Sequence, residues 1–344
     1  MNSPPAGKAP PQRGVALGAY VVGVAYDATG NLAAATGAGK IVVLPADPLS
    51  SEAPREIVAH RGASLSFARD PGGKSFLSGG DDGRLVRVAL DGTTAEILNA
   101  KGKWIEAIAV SERRGLVAAS AGRSVHLLAG EAMHELGPHP STVMDIAFSP
   151  DGSRLAASHY GGASIHLTAR PGESPRRLAW KGSHLAVRYS PSSKFLATAT
   201  QENAIHVWRL ASGADMQMQG YVTKVKSLAW SFDGNWLVSS GTDLAVCWGF
   251  AGKGPEGQPP MELDANSVGA TVARVAAHPA APFIALGFSH GAIEIADLAK
   301  KRVMPLAEPT DSPVSASAWS SDGWRLAVGT EAGELRLFDL KPRT

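Results

Sequence analysis

Short apolar runs of four to seven residues, broken by Gly, Asp and Ser, recur along the whole chain, three to each stretch of about forty residues. The stretches 142–172 (TVMDIAFSPDGSRLAASHYGGASIHLTARPG), 183–213 (SHLAVRYSPSSKFLATATQENAIHVWRLASG) and 223–252 (TKVKSLAWSFDGNWLVSSGTDLAVCWGFAG) show the pattern most plainly. Runs this short, rich in β-branched residues and bounded by turn formers, predict strands joined by hairpins. No stretch sustains the 3.6-residue period of an amphipathic helix. The third run of each unit is anchored at Ile41, Leu85, Val125, Ile165, Ile205, Ala245, Ile293 and Leu335, and the middle run at Leu32, Leu77, Leu116, Leu155, Leu196, Leu237, Ile284 and Leu326. Both anchors step by 39 to 48 residues and keep phase, which defines eight repeat units.

Roughly four strands in about forty residues describe one blade of a β-propeller, a twisted sheet that buries both faces against its neighbours. The expected fold is therefore all-β, a propeller of eight four-stranded blades, with seven the alternative if the weakest unit, the third (104–131), is not a blade. The chain stops soon after the third run of the eighth unit, and Val15 to Leu17 lie where that unit's outer strand belongs. One domain over 15–341 follows a flexible Pro/Ala/Gly-rich tail at 1–14, and the long sixth step places a surface loop near 252–260.

Within a unit the first run commonly ends on an aromatic (Tyr26, Phe67, Phe148, Tyr189, Trp230, Trp319) and meets a turn such as Pro150-Asp151-Gly152 or Asp322-Gly323. Trp208 and Trp248 close third runs, Asp297 and Asp339 follow Ala296 and Phe338, Asp82-Gly83 forms an inner turn, and His60 and His139 stand before first runs. In these features residues 15–340 resemble the WD-repeat β-propeller family, in a degenerate, bacterial-type form. The resemblance implies closure by pairing the two chain ends and a hydrogen-bonded tetrad of His, Ser/Thr, Asp and Trp, which no unit carries complete. It also implies a non-catalytic interaction scaffold, with the turns before first strands and between second and third strands gathered on one face.

Composition narrows the chemistry. The 38 glycines and 23 prolines suit a chain that turns often. A net charge of +2 gives no overall electrostatic footprint for nucleic acid. Cys247 is the single cysteine, which excludes an internal disulfide and a thiolate metal cluster. No apolar run reaches the ~20 residues of a membrane helix. Lys8 and Arg13 before VALGAYVVGVAY (15–26) imitate a signal peptide, but the run is in phase with the repeats, so the expectation is a soluble cytoplasmic protein, with export the alternative.

TGAGK (36–40) lacks the leading Gly and the hydroxyl residue of a phosphate loop and precedes a strand, so it reads as a hairpin turn. His126, His166 and His206 occupy one position in successive third strands. Sheets pack ~10 Å apart, so these three point alike without meeting, and no metal site is expected from them. No G-x-S-x-G context supports a serine nucleophile, and no catalytic residue or cofactor is expected.

The candidate partner-binding residues are those at the turns: Lys103 and Trp104, Thr142, His159 and Tyr160, Lys181 and His184, and Tyr221 and Lys224. Arg188 joins them because it aligns with Ala25, Ala147 and Ala229, where small residues line the channel; its alternative is a pair with Asp145. Trp104 and Tyr221 have packing as their alternative, whereas Trp208, Trp230, Trp248 and Trp319 read as packing residues. The expected partners are one or more proteins with acidic or mixed surfaces, met by a monomer, with no nucleic acid and no membrane insertion. A different class, a propeller enzyme or small-molecule or metal sensor, would use Arg188 and a nearby histidine at the channel mouth.

Overall fold

The computed structural model describes residues 12–45, 47, 50, 52–252 and 254–342. These form strands and turns without a helix, so no helix among them is long and apolar enough to cross a membrane. The chain divides into two compact units, Met1–Ile57 with Ser227–Thr344, and Val58–Lys226.

In the first unit four antiparallel sheets each hold four strands. One contains Val21–Tyr26, Leu32–Thr36, Lys40–Leu44 and Arg55–Val58; the next contains Leu228–Trp230, Trp236–Ser239, Ala245–Gly249 and Met261–Leu263. A third holds Val272–Ala277, Phe283–Phe288, Ile293–Asp297 and Arg302–Ala307. The last repeat supplies Val314–Trp319, Arg325–Thr330 and Glu334–Asp339, and its outer strand is Gln12–Ala16, paired in register from Gln12 with Phe338 to Ala16 with Glu334. The N-terminal closing strand is thus present, shifted a few residues earlier than Val15–Leu17. Residues 12–14 of the presumed tail belong to it, and 1–11 lie outside the described residues. Thr36 to Lys40 is a hairpin turn, and no strand crosses the described part of 252–260.

The second unit departs from the sequence expectation. It has a four-stranded sheet of Ser64–Arg69, Ser75–Gly80, Arg84–Ala89 and Thr94–Asn99, and a second of Ile108–Ser111, Leu116–Ala121, Ser124–Ala129 and Ala132–Leu136. Repeats four and five then share one six-stranded sheet: Asp145–Phe148, Arg154–Leu167, Arg176–Tyr189, Phe195–Thr200, Ala204–Arg209 and Asp215–Met218. Among the described residues the hydrogen-bonded sheets therefore number seven, the alternative count, and eight separate four-stranded blades are not formed. The third unit, expected to be the weak one, is a complete sheet. The reduction arises because two 14-residue strands run on where turns interrupt the other repeats, with register shifts at Tyr160/Gly162 and His184/Ala186.

Gly162 makes the first of those shifts possible. Its φ is +129°, and a Cβ there would lie 2.0 Å from the Leu178 carbonyl oxygen. Both the backbone conformation and the space admit only glycine. Gly162→Ala is expected to cost at least ~3 kcal/mol, seen as a lower denaturant midpoint with an unchanged slope.

The core follows from double-sided burial. Second strands such as Leu32–Thr36, Leu116–Ala121 and Phe195–Thr200 are buried at every position, which explains their run of Ala, Ser and Leu rather than a polar alternation. Facing sheets interlock large on small: Leu127, Leu136 and Val125 of the third repeat meet Ile146, Leu155 and Ala157 of the fourth. Trp208 is 2% exposed in an equivalent cluster, and Trp230 packs edge-on against Phe250 with ring centroids 4.7 Å apart. Trp248 and Trp319 are half-buried, the latter donating its indole N–H to the Ala276 carbonyl.

Candidate functional site

All ten candidate residues fall in the unit Val58–Lys226, and the fold sorts them into surface and interior. Trp104 (56% exposed) and Tyr160 (62% exposed) present their rings to solvent, and Lys103, Thr142, Lys181, Arg188 and Lys224 are also exposed. His159, His184 and Tyr221 are buried and cannot meet a macromolecule, which corrects their assignment to the binding face.

The reason lies in the hydrogen bonds these histidines make. His159 bonds the Ser164 hydroxyl through Nε2 (2.9 Å) and the Tyr160 carbonyl through Nδ1 (2.9 Å). His184 bonds Thr198 Oγ1 through Nδ1 (2.8 Å) and approaches the Trp180 carbonyl through Nε2 (3.3 Å). Each thus satisfies a buried hydroxyl within its own sheet. Burial lowers the pKa of His159 and pushes that of His184 down to about 4, so both are neutral at pH 7.

The turn carrying Lys103 and Trp104 is tied down by hydrogen bonds. The Ala100 N–H donates to the Gly83 carbonyl (2.8 Å), the Ile105 N–H to the Gly80 carbonyl (3.1 Å), and the Lys101 N–H to Asn99 Oδ1 (3.0 Å). Gly83 allows this approach: its φ is +79°, and a Cβ would stand 2.7 Å from the Gly102 nitrogen. An exposed tryptophan on a fixed backbone loses little entropy on contact.

A second group forms around Tyr160. The Tyr160 N–H donates to Ser141 Oγ (2.7 Å), beside Thr142, and Tyr160 pairs across the sheet with Ser183, two residues from Lys181. Thr142, Tyr160 and Lys181 are thereby brought together from positions as far apart as 142 and 181. Met144, 39% exposed, extends the apolar part of the same turn. Lys103, Lys181 and Lys224 form no ion pair among the described residues.

Arg188 is committed internally. Its guanidinium donates to Asp145 Oδ2 (2.5 Å) and to the Val187 carbonyl (2.6 Å), while the Val187 N–H donates to the same carboxylate oxygen (2.9 Å). This is the pair with Asp145 named as its alternative, and it takes Arg188 out of service as an open anion anchor.

Three members of the expected tetrad do assemble in the second repeat. His60 bonds Asp82 Oδ1 through Nδ1 and the Ser78 hydroxyl through Nε2, both at 3.0 Å, and Val88 stands where the tryptophan would. Burial works against the Asp82 carboxylate, but the Arg84 N–H and the His60 ring hold its pKa below the usual value. The order Ser, His, Asp imitates a hydrolytic triad, yet Ser78 is wholly buried and no substrate can reach it. Its role is to tie the turn at Asp82 to the chain before the first strand. His166 meets His139, a loop residue 27 positions away that spacing along strands could not reveal.

Repeated antiparallel sheets of this kind define a β-propeller. The same fold is seen in the crystal structure of the computationally designed Ika8 protein, with a TM-score of 0.77 over 94% of this chain and 97% of that one at 15% identity. More particularly, residues 130–165 and 215–248 match the WD domain, G-beta repeat, and residues 272–343 match the anaphase-promoting complex subunit 4 WD40 domain.

Among curated proteins, the chain is 21% identical to autophagy-related protein 16 of Arabidopsis thaliana, over 83% of this chain and 57% of that protein. It is 29% identical to the 66 kDa stress protein of Physarum polycephalum over 47% of this chain and 30% of that protein. It is also 29% identical to WD repeat-containing protein 1-B of Xenopus laevis, over 41% of this chain and 25% of that protein. The chain therefore spans between a quarter and just over half of these relatives' lengths. All three are eukaryotic, so the bacterial-type expectation finds no support among them.

Proposed function

We propose that this chain is a non-catalytic scaffold that binds a protein partner through the exposed turns of residues 58–226, with Trp104 and Tyr160 as apolar anchors and Lys103, Lys181 and Lys224 as the charged surround. The observation that carries this reading is the exposure of two large aromatic side chains on hydrogen-bonded turns that also carry exposed lysines. Aromatic anchors ringed by polar groups are the usual composition of binding hot spots. The lysines favour an acidic or mixed partner surface, and their effect falls largely on association rate. The relatives' names, among them an autophagy-related protein and a chromatin assembly factor 1 subunit homolog, support a role in assemblies without specifying which. The reading places the protein in the cytoplasm as a monomer.

Affinity capture from the native host, compared between wild type, Trp104→Ala and Lys181→Ala, tests the site. Trp104→Ala is expected to lower partner recovery at least tenfold, equivalent to ~1.4 kcal/mol or more, and Lys181→Ala to lower it less and in a salt-dependent manner. Undiminished recovery with both variants would falsify the assignment of this face.

A further inference from the structure

The histidine pair at the start of the shared sheet points to a ligand of a different kind. His139 is clamped by Arg123 through backbone and side chain: its N–H and its Nδ1 both meet the Arg123 carbonyl, at 2.8 and 2.9 Å, and its own carbonyl accepts from Arg123 Nε at 2.7 Å. Because a carbonyl only accepts, Nδ1 carries the ring proton and neutral His139 presents a bare Nε2 lone pair. That atom faces His166 Nε2 at 3.1 Å. Both side chains are buried, and His166 Nδ1 has no hydrogen-bond partner.

His166 accordingly gives up no Nδ1 hydrogen bond by moving its proton from Nε2 to Nδ1. Two Nε2 lone pairs then converge on one point. With metal–nitrogen distances of ~2.0–2.1 Å, two imidazoles on one ion lie ~2.9–3.4 Å apart at coordination angles between square-planar and tetrahedral, which brackets the observed 3.1 Å. The carbonyl bond to His139 Nδ1–H is the outer support that metal-bound histidines commonly have.

We propose that His139 and His166 bind one divalent cation of the imidazole-preferring class, with zinc or copper the best matched. Among the described residues no three His, Cys, Asp or Glu side chains could hold an ion together, so the site rests on the two imidazoles. Its remaining positions open to a polar cavity of about 250 Å³, lined by both histidines with Glu135, Ser164, Glu173 and Arg177, and are filled there by water or by a donor atom of a small anion. An ion with open positions and a nearby guanidinium is a site for exchange of ligands rather than a purely structural one.

The test is calorimetric titration of Zn²⁺ into the metal-stripped full chain, comparing wild type with His139→Gln, His166→Gln and, as control, the exposed His134→Gln. One Zn²⁺ per wild-type chain is expected, weakened at least tenfold in either of the first two variants and unchanged in the third. Should either variant fail to fold, paramagnetic resonance of Cu²⁺ bound to wild type supplies the answer: splitting from two imidazole nitrogens is expected. No saturable Zn²⁺ binding by wild type, unaltered binding in both folded variants, or a Cu²⁺ spectrum without two nitrogen ligands overturns the proposal.

Discussion

Deleting residues 1–16 is expected to lower the melting temperature by about seven degrees and to leave much of the protein aggregated. The deletion removes the whole of Gln12–Ala16, leaving the outer edge of Glu334–Asp339 unpaired along five residue positions while its other edge stays paired with Arg325–Thr330. It also takes away Val15, which packs with Val21, Leu335 and Leu337 in the core beneath. Lost ladder hydrogen bonds at ~1 kcal/mol each, together with uncovered apolar surface, amount to on the order of 5 kcal/mol. In a domain of this size each kcal/mol shifts the melting point by ~1.4 °C. The bared strand edge is in addition a template for pairing with another chain. Deleting 1–11 alone leaves the strand intact and serves as the control. Differential scanning calorimetry with light scattering reads both effects, and a peptide of residues 12–17 added in trans should restore part of the loss. An equal melting temperature for the two truncations would show that the strand contributes little.

Acid is expected to weaken the fold steeply between pH 6.5 and 4. His184 and His206 are buried against Trp208 in the shared sheet, and His206 also stacks on Trp180 with ring centroids 3.9 Å apart. Burial pushes both pKa values down to about 4 from an ordinary value of 6.5, with mutual repulsion adding to the effect at His206 and Glu202 partly opposing it at His184. Asp215 stands 3.6 Å from His206 Nε2, beyond hydrogen-bond range, so neither ring nitrogen of His206 is satisfied.

In the unfolded chain these groups protonate near pH 6.5, in the folded one only near pH 4. The stabilisation is therefore complete above pH 6.5 and lost as pH falls through that window, at up to on the order of 3 kcal/mol for each histidine. Urea midpoints of the metal-free protein across the window read it directly. His206→Phe should be neutral or stabilising at pH 7, since it removes two unsatisfied buried atoms, and should reduce the proton uptake on unfolding by about one. A variant as acid-sensitive as wild type would remove His206 from the account.

The repeat and its strands were legible because a blade is a local object: each apolar run is bounded by its own turn chemistry, and the phase of Leu32 through Leu326 repeats without reference to tertiary structure. The closing strand was legible for the same reason, since Val15 lies one strand ahead of Val21. The merging of repeats four and five was not, because Tyr160-Gly161-Gly162 reads as any other hairpin turn until the bulge and the partner at Ser183 are seen. At the candidate site, alignment located the turns but not the direction of each side chain. Trp104 and Tyr221 occupy comparable places, yet one faces solvent and the other the interior. The Arg188 pair with Asp145 could be named from charge alone, whereas His139 and His166 meet through a loop that no periodicity constrains.

The most direct test of the binding face is amine-reactive cross-linking of the wild-type protein with its captured partner, read by mass spectrometry. Cross-links to the partner concentrated at Lys103, Lys181 and Lys224, and lost on competition with excess unlabelled wild type but not Trp104→Ala, are the result the account predicts. Cross-links confined to lysines outside residues 58–226, such as Lys40 or Lys300, would contradict it.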